Sequence, residues 1–350
     1  MSKIRKYIML LRPQQQYKNA LIFLGPIFGL NFLNLDVLWK FLNFHLFGAL
    51  IFRVSPYDSL FNINLYITLI IGFFCLCGVS SANYIINDII DMEKDKLHEE
   101  KKERPLPSGA ISVRSAKILC AILLVGSIGA AFFFNPYFLF EQPVFGFLIF
   151  PDIIFGFPWS GVMVVLVFLT GLIYNLKLKY VAFADVITIS VNYVWRAITG
   201  CLIALIDISA WLIIIIFLAA LFISLCKRKA DLDLLKEDAQ KHKEIYEFYS
   251  PTLIENYISI SGTSFLLVYL LYTIQKETYF GIGWLSITLP FAFFFIMRYM
   301  YLVYSKQDIP RKFQKVFFDR QTLYNFILWG SIIIFVLYYS QIGYLLSMIF

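Results

Sequence analysis

Histidine is nearly missing from this 350-residue chain: there are three, His45, His98 and His242, too widely separated and too unlike in setting to frame a histidine metal site. Cysteine is sparse as well. Cys75, Cys77, Cys120, Cys201 and Cys226 all fall in apolar stretches with none of the spacings of a zinc or disulfide framework, so they read as small core residues. No G-x-x-x-x-G-K-[ST], G-x-G-x-x-G or G-x-S-x-G run occurs, which argues against an ATP-driven pump and a serine hydrolase. Internal repeats and low-complexity tails are also lacking. The first nineteen residues have no apolar core of the kind a cleavable signal peptide needs, so the first span is expected to act as the targeting signal.

What fills the chain instead is hydrocarbon. Sixty per cent of the residues are hydrophobic, 19% are aromatic and only 15% are charged, and the mean hydropathy is +0.73. Soluble domains run at roughly 45–50% apolar, so this composition predicts an all-α polytopic membrane protein, a single transmembrane domain over residues 1–350. Nine runs are long enough to cross the bilayer: 17–33, 62–86, 111–134, 159–175, 183–206, 209–226, 253–274, 281–303 and 323–346. With the N-terminus in the cytoplasm, the inner segments carry 25 of the 30 lysines and arginines, and the outer ones only Lys40, Arg53 and Lys276. The net charge of +7 follows from that topology and from anionic lipid, and it gives no case for nucleic acid. Two outer segments, 34–61 and 135–158, are aromatic-rich and broken by Pro or Gly, and read as interfacial or re-entrant pieces.

The longest polar segments, 87–110 and 227–252, are both inner loops. The first opens with NDIIDMEKDK. If the helix continues through it, Asp88, Asp91 and Asp95 are spaced i, i+3, i+7 and share one face, with Asn87 beside them. Such a face suits a hard divalent cation that takes one or two carboxylates and completes its shell with phosphate oxygens and water. The plainer alternative is a solvated, charge-mixed helix, since Lys94, Lys96, Lys101, Lys102 and Arg104 are interleaved with the acids. Within the spans, Asp185, Asn192 and Arg196 lie at i, i+7, i+11, a polar stripe that suggests a cavity wall, against the alternatives of an internal ion pair or a snorkelling arginine. Arg298, nearer a helix end, is expected to snorkel. Arg12, Lys18 and Asn19 in RPQQQYKN, and the triplet Lys227, Arg228, Lys229, are either positive-inside anchors or phosphate ligands; the acids Asp231, Asp233, Glu237 and Asp238 that follow the triplet are more than an anchor needs.

These segments together resemble the UbiA superfamily of intramembrane prenyltransferases: LRPQQQYKN at 11–19, NYIINDIIDMEKDKLHEEKKERPLPSG at 83–109, LIYNLKLKYVAFADV at 172–186, NYVWRAITG at 192–200 and KRKADL at 227–232. The last two are most similar to the branch that moves phosphoribose onto decaprenyl phosphate. One departure is Glu99, which follows His98 where that branch usually has Pro. The resemblance implies a Mg²⁺-dependent transferase whose donor is 5-phosphoribosyl 1-diphosphate (PRPP) and whose acceptor is a polyprenyl phosphate, in the inner membrane with its site facing the cytoplasm. It implies Asp88, Asp91 and Asn87 as catalytic residues, Asp88, Asp91 and Asp95 as metal ligands, and Lys18, Asn19, Arg104, Tyr174, Asp185, Asn192, Arg196, Lys227, Arg228 and Asp231 as substrate contacts. The triplet at 227–229 then matches the donor's extra 5′-phosphate, and Arg196 or Lys18 the lipid phosphate. Two alternatives stay open: prenyl transfer to an aromatic or glycerol phosphate acceptor, and a secondary transporter built around Arg196. Lipid length and self-association are undetermined, and a homo-oligomer is compatible with the chain.

Overall fold

The computed structural model of the chain describes residues 3–29, 63–97, 101–133, 159–204, 206–235, 248–278, 280–305 and 313–349. The aromatic segments 34–61 and 135–158, the three histidines, Glu99 and residues 236–247 lie outside the described residues.

Every regular element among the described residues is helical. In hydrocarbon a backbone must satisfy its own N–H and C=O groups, and long apolar runs without period-two alternation do so as helices. Helix α1 is Lys3–Leu11, followed by a 3-10 helix Pro13–Phe23 and the short α2 Leu24–Phe28. Then come α3 Ile63–Ile90, α4 Met92–Lys96, α5 Val113–Phe133, α6 Trp159–Leu176 and α7 Ala184–Ala204. The chain continues with α8 Ala210–Leu235, α9 Pro251–Gln275, α10 Leu289–Ser305 and α11 Arg320–Ile349, which kinks at Tyr338. Eight segments are long and apolar enough to cross a membrane, and the chain is an integral membrane protein.

The run expected to supply a further span at 17–33 is not among those eight. Its cause is local. Arg12 takes left-handed backbone angles (φ 50°, ψ 58°) ahead of Pro13, Gln16 spends its amide on the Leu11 carbonyl at 3.0 Å, and Gly25–Pro26 follow, so the segment winds as a 3-10 helix rather than a continuous α-helix.

Contacts divide the chain into two compact units: Met1–Pro26, Ile63–Lys179 and Val191–Ile208 form one, and Ile27–Asn62, Tyr180–Ser190 and Ser209–Phe350 the other. In the first unit α3 is central and packs on α5, α6, α1 and the 3-10 helix, around Ile22, Leu69, Leu76, Val79, Val164 and Val167. The 3-10 helix lies backbone-close to α7: a Cβ on Gly200 would run into the Ile22 carbonyl, so only glycine admits this approach. That closeness is what brings Asn19 to Arg196, one turn before Gly200. In the second unit α8 and α9 pair, α10 packs on both, and α11 packs on α10, around Phe222, Phe265, Tyr269, Phe295 and Tyr299. Helix α9 starts sharply because the Ser250 hydroxyl accepts from Leu253 N at 3.2 Å and Pro251 occupies its first turn.

Candidate active site

In the first unit the acidic loop is not one helix face. Helix α3 ends at Ile90, Asp91 sits at the break (φ −89°, ψ 2°), and Asp95 lies on the separate turn α4. Asp88 and Asp95 are nonetheless buried, 2% and 3% exposed. Arg104 joins them, one Nη1 donating to Asp88 Oδ1 at 3.2 Å and to Asp95 Oδ2 at 2.8 Å. Arg12 pairs with Asp88 through its Nη2, and Lys101 approaches Asp95 at 3.4 Å. Asp91 turns elsewhere and accepts from Lys179 Nζ at 2.7 Å. Asn87 is half-buried, its carbonyl accepting from Asp91 N at 2.9 Å. Cations from four stretches of chain thus converge on three carboxylates.

Such a set fits a hard divalent cation by its chemistry. Two buried carboxylates already share one positive group, which marks a point that a cation favours, and hard oxygen donors are what Mg²⁺ takes. No cluster of three or more metal-capable side chains occurs among the described residues, so the protein would supply only part of the shell and phosphate oxygens the rest.

Eight residues back along α3, Ser80 opens a second polar group in the same unit. Arg196, 5% exposed, donates Nε to Asn19 Oδ1 at 2.8 Å and Nη2 to Ser80 Oγ at 3.3 Å. Its Nη1 goes to the carbonyl and side-chain oxygens of Asn192. Asn19 donates in turn to Gln16 Oε1 at 2.8 Å, and Gln16 to Ser81 Oγ at 3.0 Å. Lys18 is half-buried, its ammonium 5.8 Å from the Tyr193 ring centroid; the Arg196 guanidinium is 5.7 Å from the same centroid. Tyr84 stands between the two groups on α3, with Arg12 5.0 Å above its ring. Ser80, Tyr84 and Asp88, at i, i+4 and i+8, therefore share one face. Tyr174 is half-buried on α6, next to Asn175, whose amide donates to the Asn83 carbonyl at 3.0 Å.

In the second unit the expected basic cluster is divided among acids. Arg228, 4% exposed, gives both Nε (2.8 Å) and Nη2 (2.7 Å) to Asp185 Oδ2, and Asp185 is completely buried. Tyr249 donates to the other Asp185 oxygen at 2.7 Å and accepts from Phe183 N at 3.0 Å. Burial, and after it the Asp185 carboxylate, raises the Tyr249 phenol above its ordinary pKa, which keeps the proton on the donor. Lys229 meets Asp233 and Glu255, each at 2.9 Å. Lys227 is exposed, and Asp231 is half-buried in the last turns of α8. Arg298 does not snorkel as expected: it forms a forked pair with Asp319, at 3.0 and 2.7 Å, because Asp319 stands just ahead of α11 and is held there by Thr322.

The stripe Asp185, Asn192, Arg196 is accordingly split: Asn192 and Arg196 bond to each other in the first unit, and Asp185 pairs with Arg228 in the second. Sequence reasoning left Lys179, Gln16, Ser80 and Tyr249 without roles and treated Arg12 as a possible anchor. For Arg12 a signal existed, since an arginine before proline at a membrane boundary is a backbone oddity; the others are ordinary residues that only three-dimensional proximity selects.

A membrane-spanning helical bundle with an acidic loop at the end of a span is the arrangement of one class of lipid-modifying transferases, and comparison agrees. The chain matches the UbiA prenyltransferase family over residues 45–150, and it has the fold of a UbiA homolog from Archaeoglobus fulgidus solved with GPP and Mg²⁺, at a TM-score of 0.61 and 17% identity, covering 94% of this chain and 99% of that one. In sequence it is similar to the decaprenyl-phosphate phosphoribosyltransferase of Mycobacterium tuberculosis, 25% identical over 291 residues, which is 83% of this chain and 80% of the relative. A digeranylgeranylglyceryl phosphate synthase of Methanocaldococcus jannaschii is 40% identical over 80 residues, 23% of this chain and 27% of the relative.

Proposed function

We propose that this chain is a phosphoribosyltransferase that moves 5-phosphoribose from PRPP to a polyprenyl phosphate and releases diphosphate. The observation that carries the reading is the extent of the similarity. The match to the phosphoribosyltransferase runs through most of the chain, whereas the match to the prenyl-transferring synthase is confined to 80 residues.

In this reading Asp88, Asp95 and Asp91 hold Mg²⁺, which when bound supplies positive charge to the departing diphosphate. Arg104 and Arg12, released from the carboxylates, donate to diphosphate oxygens, and Asn87 orients a phosphate or a ligand. Lys227, the exposed member of its triplet, meets the 5′-phosphate, while Arg228 sets the inner end of α8 through Asp185. The C1–O bond to diphosphate breaks as a lipid phosphate oxygen bonds to C1, and attack opposite the leaving group inverts C1. With a second pKa of about 6 the acceptor phosphate is already anionic, so no general base is needed. The distribution of lysine and arginine supports a cytoplasmic N-terminus and a cytoplasmic site. A single cysteine at the exposed Ser108, in a background free of native cysteines, is expected to react with impermeant label only from the cytoplasmic side; labelling from outside reverses the orientation.

The deciding experiment is purified protein with Mg²⁺, labelled PRPP and decaprenyl phosphate, read as label in the extracted lipid. A parallel arm offers a prenyl diphosphate with glycerol phosphate or aromatic acceptors. Turnover only in the second arm replaces the proposal with prenyl transfer.

A further inference from the structure

Lys18 and Arg196 are two cations on one tyrosine face, each the other's electrostatic neighbour, and among the described residues neither has an acid partner. Everything that holds Arg196 is neutral: Asn19, Asn192 and Ser80. A guanidinium has five N–H groups, and these bonds leave one on Nη2 unassigned. The Lys18 ammonium makes no hydrogen bond among the described residues. Like charges placed together away from water repel, and burying a cation without a counterion is unfavourable, so the arrangement is completed by an anion from outside the chain. The neutral groups serve a definite end: they fix the direction of the guanidinium without neutralising it.

We propose that Lys18 and Arg196 form an acid-free anion site that takes the phosphate monoester headgroup of the lipid acceptor, and takes it without metal or donor. This assignment rests on the phosphoribosyl-transfer reading only for the identity of the acceptor. A lipid headgroup is favoured over a phosphate of the soluble donor by position: Ser80 lies two turns further into the span than Asp88, where a phosphate attached to an isoprenoid tail can enter from the membrane. Independence from metal follows from composition, since the site has no carboxylate to bridge.

The test is direct binding of decaprenyl phosphate to the purified protein in detergent, with EDTA and without PRPP, and with decaprenol as the uncharged control. The wild type is expected to bind the phosphate and not the alcohol, and Asp88→Asn to bind it equally well. Arg196→Gln is expected to weaken binding roughly ten- to a hundredfold, the usual effect of losing a charge-assisted contact to phosphate. Lys18→Gln has a smaller effect in the same direction, and Arg196→Lys recovers part of the loss. Thermal unfolding and monodispersity accompany each variant; if Arg196→Gln does not fold, Arg196→Lys and Lys18→Gln carry the test. Wild-type affinity in the charge-removing variants, or loss of binding in EDTA, overturns the site. So does an Arg196→Gln enzyme whose KM rises for PRPP and not for the lipid. Arg196-dependent binding of the lipid by a wild type that ignores PRPP sinks the phosphoribosyl reading and leaves this site standing.

Discussion

Arg196 and Arg228 are buried alike, at 5% and 4% exposure, yet they are kept in opposite ways. Arg228 is closed by a buried carboxylate that a tyrosine also binds, and its unit repeats the pattern at Arg298–Asp319 and Lys229–Glu255. Arg196 is oriented by amides and a hydroxyl, with no acid among the described residues. The acids of its unit are gathered at the end of α3, where several cations compete for them. A closed pair spends its charge inside the fold, so it stabilises or positions. An open charge, or a shared one, remains available to something that arrives.

The strongest way to break this contrast is at the acids. Asp88→Asn is expected to lower turnover by about a thousandfold or more, by removing a metal ligand, with little loss of folded protein; near-native turnover in the labelled-lipid assay would remove Asp88 from the chemistry. Next come the two arginines. Arg228→Ala leaves Asp185 charged, buried and without its guanidinium, which is expected to cost about 3–5 kcal/mol of stability, whereas Arg196→Gln should be neutral or stabilising because it removes a buried charge that nothing balances. Adding Asp185→Leu to Arg228→Ala should recover much of the loss. Equal destabilisation by the two single changes, measured by thermal unfolding in one detergent, would erase the distinction.

The smallest expected effect is on pH. Asp319 is depressed to about 2, first by its hydrogen bond from Arg298. Its folded-state pKa lies below the ordinary value of about 4, so its contribution is complete above that value and is lost as the pH falls through about 2. The difference in melting temperature between wild type and Asp319→Asn should therefore shrink on acidification from pH 5 to pH 2, and a constant difference would show that the pair contributes nothing through charge.

The helical class, the membrane and eight crossing helices were legible in the chain because apolar length is a property of sequence. The aspartate segment was legible as a chemical place but not as a shape. Spacing predicted one face for Asp88, Asp91 and Asp95, and the break at Asp91 depends on Lys179, 88 positions away, receiving its carboxylate. The basic triplet misled for a similar reason: three adjacent cations look like one patch, but successive residues on a helix point about 100° apart, so Arg228 reaches Asp185 while Lys229 reaches Glu255. Residues 17–33 had the composition of a span, and two prolines with a left-handed Arg12 wound its opening otherwise.

The common face of Ser80, Tyr84 and Asp88 makes α3 a gauge. Eight residues of α-helix set the two charge centres about 12 Å apart along the axis and nearly in phase. Deleting a single residue between them would shorten that interval by only about 1.5 Å but swing Asp88 round by about 100°, away from Arg12. Indels in this stretch are thus graded by angle rather than length, and a three- or four-residue change, one helical turn, is the smallest that alters the interval while keeping both ends aimed the same way.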